Sequence, residues 1–145
     1  MNKIKIKASV LQKIGEKLTN KNVFFNSIHK DHILVKLYYS GVCGSQLMEI
    51  YGGRNNKKFL PHMLGHEGTG IVKKVGPGVK YFKVNDKVIL HWKKSKGIDA
   101  KNPTYYFKDN KINSGKVTTF SEYSIVSENR LTKIPTGLNY KDAVI

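Results

Sequence analysis

The chain reads as a mainly β fold with a few short helices, on three observations. Two stretches alternate with a period of two, a third strand-like run is bracketed by glycines, and helical spacing is confined to brief segments. Glycine, proline and asparagine punctuate the rest.

Ile4, Ile6, Ala8 and Val10 share one face of the first strand, with Lys3, Lys5, Lys7 and Ser9 on the other. A turn at Gly15 and a polar stretch through Asn20, Lys21 and Asn22 lead to Val23, Phe24 and Phe25. Residues 32–39 alternate again, placing Ile33, Val35, Leu37 and Tyr39 together, and run into Ser40-Gly41-Val42-Cys43-Gly44-Ser45. Glycines on both sides of Cys43 fit a tight strand exit that leaves the sulfur accessible. Leu47, Ile50 and Tyr51 then predict a short helix over 45–51 that Gly52-Gly53 stops. Cys43 and Ser45 thus stand at a helix N-terminus, whose partial positive charge favours a thiolate.

Residues 54–58 predict a charged surface loop, and Pro61 breaks the chain before His62. Gly76-Pro77-Gly78 is a turn after the glycine-bracketed strand. Residues 93–116, where Gly97, Pro103, Tyr105, Tyr106 and Gly115 lie among lysines and asparagines, predict a long, partly ordered surface excursion. Residues 117–126 predict a strand with Phe120, Tyr123 and Ile125 as its apolar members. Asn139 and Asp142 form a capping pattern for a last helix that begins with Ala143, Val144 and Ile145.

Bulk properties set the frame. A length of 145 residues, 39% of them hydrophobic, predicts one domain over 1–145. No apolar run approaches the roughly 18 residues of a membrane span, and the alternating start is not a signal-peptide core, so a cytoplasmic protein with no membrane partner is expected. The single cysteine excludes an internal disulfide and leaves a thiolate ligand open. A net charge of +16 raises a polyanion partner, but Arg54 and Arg130 are the only arginines. Recognition of bases and phosphates favours guanidinium groups, so the composition argues against nucleic acid.

Two stretches carry chemistry. His66 has Glu67 beside it and small residues around it, and Cys43 sits in the glycine-rich turn upstream. Each has a purely structural reading: Cys43 as a buried corner residue, His66 as a histidine hydrogen-bonded in a turn, Ser45 as a helix-start hydroxyl. Together they read as part of a zinc site.

Gly65-His66-Glu67, with Gly70, Gly76 and Val79 following, resembles the zinc signature of the medium-chain, zinc-dependent alcohol dehydrogenases. Ser40 to Ser45 before it and Asp86-Lys87-Val88-Ile89 after it resemble the same family's N-terminal catalytic domain, whose fold is the GroES-like partly open β-barrel. Leu131, Ile134 and Pro135 resemble the barrel's closing strand. The resemblance implies that Cys43 and His66 are zinc ligands, that Glu67 lies at the metal as an alternate ligand or through water, and that Ser45 relays the alcohol proton. It implies Trp92 as an aromatic wall of the substrate pocket, though a lone tryptophan also suits an ordinary core. His91 could line that pocket or be a hydrogen-bonded histidine. The substrate would be a small alcohol, polyol or sugar-like molecule, with NAD or NADP bound by a separate cofactor domain.

The chain departs from the family pattern in three ways. Gln46 replaces the aspartate that holds the histidine ligand, offering an uncharged oxygen to the ring, and Met48 stands where some members have a relay histidine. Residues 93–116 lack the cysteines of a structural zinc lobe, so no structural zinc is expected. No Gly-x-Gly-x-x-Gly fingerprint follows a strand, and the family's third ligand, a cysteine, would fall beyond Ile145. The chain therefore reads as a catalytic-domain fragment that lacks its Rossmann domain, holds zinc weakly and is inactive alone. Val144 and Ile145 would belong to an exposed apolar edge prone to self-association, as a homo-oligomer or otherwise. A stand-alone GroES-like interaction module and a basic polyanion-binding domain are the alternatives.

Overall fold

The structure is a computed structural model, and it describes residues 3–53 and 57–144. Within them, ten strands form two five-stranded sheets that curl into a partly open barrel. The first sheet takes β1 (Ile4–Leu11), β2 (Thr19–Phe25), β4 (His62–Met63), β7 (Tyr105–Phe107) and β8 (Asn110–Ile112) in the order β4-β1-β2-β7-β8. The second takes β3 (His32–Ser40), β5 (Gly68–Val75), β6 (Lys87–Leu90), β9 (Tyr123–Ser127) and β10 (Leu131–Lys133) in the order β10-β6-β5-β3-β9. Every ladder within these sheets is antiparallel.

The alternation read in the sequence is realised in the core. Ile6, Ala8 and Val10 of β1 pack with Val23, Phe25, Met63, Tyr105, Ile112 and Ile125, while Ile4 is exposed. Ile33 and Val35 of β3 pack with Val72, Val88, Leu90, Val126 and Leu131 in a second cluster, with Leu37 partly buried against it, whereas Tyr39, expected on the same face, is exposed beyond the register shift. The β3–β5 register shifts between Leu34 and Val35 and again between Leu37 and Tyr39. Such irregularities bend a strand and redirect its side chains, here just before the cysteine turn.

Four expectations change. The 93–116 excursion is built into the barrel: β7 pairs with β2, and β8 closes a hairpin through Lys108 and Asp109, both at positive φ. Tyr105 is 0% exposed, and its hydroxyl accepts the Ile125 N–H at 2.7 Å. Burial raises that phenol's pKa. Strands of three residues are too short for periodicity to reveal them. Residues 117–122 are not strand, because several of their donors converge on one carbonyl: Leu64 O accepts from the Thr118 hydroxyl and from the N–H groups of Thr119 and Phe120.

Helix α1 (Gly44–Tyr51) forms as expected and ends at Gly52, but it does not bury its apolar residues. Leu47 and Tyr51 are exposed, and Gln46 is its buried residue. The C-terminal helix is a single 3-10 turn, Asp142–Val144, started by Asn139 Oδ1 accepting the Asp142 N–H at 2.9 Å. Residues 54–56 of the expected charged loop, and Ile145 of the expected apolar edge, lie outside the described residues; Val144 is half-buried.

Candidate metal centre

The strand ends of β3 and β5 bring the cysteine turn to the His-Glu pair. Ser40 pairs with Gly68, the Gly41 N–H donates to Glu67 O at 3.0 Å, and the Ser40 hydroxyl reaches the same carbonyl at 3.1 Å. Ser40 Oγ also lies 2.7 Å from Thr119 Oγ1, which ties the corner to the segment behind it. Gly41 packs against the Glu67 side chain, where a Cβ would stand 2.9 Å from Oε2 and would push that carboxylate aside. Gly65 has φ +95°, and a Cβ there would lie 2.3 Å from Thr119 Oγ1, so only glycine can present His66 at this bend.

Cys43 is the N-cap of α1, in extended conformation. Ser45 Oγ lies 2.8 Å from its Sγ. His66 Nε2 lies 3.3 Å from the same sulfur and 3.5 Å from Glu67 Oε1. The three candidate ligand atoms of Cys43, His66 and Glu67 all fall within 4.8 Å of one another, and among the described residues this is the one such grouping. Zinc bonds of about 2.0 to 2.3 Å in tetrahedral geometry separate neighbouring ligand atoms by roughly 3.3 to 3.8 Å. The two observed spacings of 3.3 and 3.5 Å match, so the residues present fit a zinc ion on one side and leave the other open.

Gln46 is buried behind His66. Its Oε1 accepts the Cys43 N–H at 2.7 Å and its Nε2 lies 2.8 Å from His66 Nδ1. The sequence reading had the amide oxygen facing the ring. The difference has a simple cause: the backbone N–H at the helix cap can be met only by an oxygen, which leaves the amide nitrogen for the imidazole.

Beside the corner is a cleft of about 320 Å³ lined by Gln46, His66, Trp92, Arg130 and their neighbours. Trp92 is 57% exposed, so it is a cleft residue and not core. His91 is held by the Lys93 carbonyl at 2.8 Å and by Thr132 Oγ1 at 3.0 Å, which makes it a hydrogen-bonded histidine. Met48 is exposed on α1.

Two participants were not anticipated. Arg130 is buried and its guanidinium donates to the Trp92 carbonyl, fixing the backbone at Trp92. His62 stands in the cleft lining, 3.6 Å from Glu49. Burial lowers its pKa, while the Asn113 carbonyl and Glu49 act in the opposite direction. The rarity of arginine was the one available hint of Arg130; nothing in the local sequence marked the His62–Glu49 pair.

Fold and corner together define a GroES-like barrel domain that carries a candidate metal centre. The family model described as the alcohol dehydrogenase GroES-like domain matches residues 29–136, and the chain belongs to that family. An alcohol dehydrogenase of Geobacillus stearothermophilus is 29% identical over 147 residues, covering 95% of this chain and 42% of its own length. Among solved structures, an alcohol dehydrogenase zinc-binding domain protein from Burkholderia ambifaria superposes with a TM-score of 0.83 at 21% identity, over 97% of this chain and 44% of that one, which speaks to fold alone. The apo form of zinc dependent alcohol dehydrogenase 2 from Streptococcus pneumonia gives a TM-score of 0.67 at 28% identity, over 96% and 41%. The chain thus spans less than half the length of these relatives.

Proposed function

We propose that this chain supplies the zinc-binding, catalytic part of an alcohol or polyol dehydrogenase, in which hydride passes between an alcohol carbon and NAD or NADP. The single observation that supports it best is the convergence of Cys43 Sγ, His66 Nε2 and a Glu67 oxygen at zinc-ligand spacing. The dinucleotide would be held by a Rossmann domain outside these 145 residues, since every sheet ladder among the described residues is antiparallel and a Rossmann unit is parallel. The unpaired Cys43 suits the cytoplasm. No helix among the described residues is long and apolar enough to cross a membrane.

Bound at this corner, zinc would supply Lewis acidity towards the alcohol oxygen. Cys43 and His66 would hold it, with a further cysteine outside the chain as third protein ligand and Glu67 able to exchange for one of them. Ser45 Oγ, 2.8 Å from the sulfur, would stand beside an alcohol oxygen held at this corner and would receive its proton. Met48 carries no proton onward, so the relay runs from Ser45 to water or a cofactor hydroxyl. Trp92, its carbonyl held by Arg130, would serve as an aromatic wall of the cleft for the substrate.

The test is metal binding by the chain itself. Zinc affinity is measured by competition with a chromophoric chelator for the wild type, Cys43→Ser and His66→Ala. The expected result is at least a tenfold loss in each variant, no less than the loss that follows removal of a group that merely orients a ligand. Equal affinity in all three proteins would remove the metal centre, and the dehydrogenase reading with it.

A further inference from the structure

Gln46 is 2% exposed and committed at both ends of its amide. Oε1 accepts from the Cys43 N–H at 2.7 Å, and Nε2 faces His66 Nδ1 at 2.8 Å. An amide nitrogen only donates, so the imidazole nitrogen in front of it is the acceptor, and the neutral ring carries its proton on Nε2. That Nε2–H is within hydrogen-bond reach of Cys43 Sγ, 3.3 Å away, with Glu67 Oε1 a further 3.5 Å neighbour on the same side. The same proton closes Nε2 to a cation. Inverting the amide would put Oε1 against an Nδ1–H and open Nε2. It would also set the amide nitrogen against the Cys43 N–H, donor against donor. A glutamine here can satisfy the helix cap or a metal-ready imidazole, but not both together.

We propose that Gln46 is a metal-coupled toggle. Without a cation its amide caps α1 at Cys43 and holds His66 as the Nε2–H tautomer; binding a cation requires the amide to invert and the Cys43 N–H to lose its cap. The inference rests on the metal-centre reading above and deepens it, making Gln46 a positioning residue that lowers the zinc affinity of its own site. An aspartate or glutamate, which only accepts, would meet the Cys43 N–H and an Nδ1–H at once.

Two measurements on the 145-residue chain test this. Imidazole nitrogen NMR of the metal-free protein should show His66 as the Nε2–H tautomer in the wild type and as Nδ1–H in Gln46→Glu. Chelator competition should show Gln46→Glu binding zinc about tenfold or more tightly than the wild type, the usual scale for groups that orient a ligand. An Nδ1–H tautomer in the metal-free wild type overturns the toggle whether or not zinc binds. Equal or weaker zinc affinity in Gln46→Glu overturns it as well. If Cys43→Ser leaves wild-type zinc affinity unchanged, the metal reading and its coupling fall, whereas the tautomer result stands by itself. Should Gln46→Glu not fold, Gln46→Met, which keeps the bulk and removes both hydrogen bonds, should give a mixture of tautomers. A pure Nε2–H form in that variant overturns the proposal.

Discussion

Glutamate and histidine are each used in two opposite ways in this molecule, under the 93–116 segment and at the metal corner. Glu128 is 0% exposed, and its two oxygens take the N–H groups of Lys80, Tyr81 and Ile98. His32, 6% exposed, spends its Nε2 on the Lys101 carbonyl at 2.8 Å. Both bind backbone, which cannot leave, so they are fixtures of the fold. At the corner the partners are other reactive side chains: Glu67 meets His66, and His66 meets Cys43 and Gln46. Identity of the residue therefore says little about its role here. What separates structure from chemistry is whether the partner is fixed backbone or a side chain that can be exchanged for a ligand.

The largest expected effect falls on the fixed side. Glu128→Ala removes a fully buried carboxylate and strands the Lys80, Tyr81 and Ile98 N–H groups it accepts, and should cost about 3 kcal/mol of stability, read from the urea unfolding midpoint. Glu67→Gln should change stability by no more than about 0.5 kcal/mol while lowering zinc affinity in a chelator competition. A larger stability loss at Glu67 than at Glu128 would break the contrast.

The smallest effect is on pH dependence. Burial lowers the pKa of His32 and of His62 below the ordinary 6.5, against opposing pulls from backbone carbonyls. The unfolded chain therefore takes up protons near pH 6.5 that the folded chain still refuses, so stability is whole above that pH and is lost as pH falls below it. Urea midpoints at about pH 7.5 and 5.5 should differ in that direction, and the difference should shrink in His32→Gln.

How much of this was legible in the sequence follows from the range of each interaction. Period-two alternation exposed β1 and β3, because each buries alternate residues along its middle, Ile6, Ala8 and Val10 in the one and Ile33 and Val35 in the other. The cysteine turn and the short helix were legible from glycine placement around Cys43 and after Tyr51. Tyr105 was not legible: its burial depends on β2 and on the Ile125 amide twenty residues away. The strand expected over 117–122 failed for a similar reason, since Leu64 O, more than fifty residues upstream, takes its donors. At the site, the residue types of the corner were readable from spacing and resemblance. Their hydrogen-bond polarity was not, because the orientation of the Gln46 amide is decided by a backbone N–H that every residue possesses.

Cys43 is the only thiol in the chain, and it is neither deeply buried nor disulfide-bonded. A thiol-directed reagent consequently has one address on the protein, at the corner where Ser45 and His66 converge. Alkylation kinetics then become a direct gauge of that corner, with no background from the rest of the chain. Anything that occupies it, reorients Gln46 or loosens the first turn of α1 is registered as a change in a single rate constant.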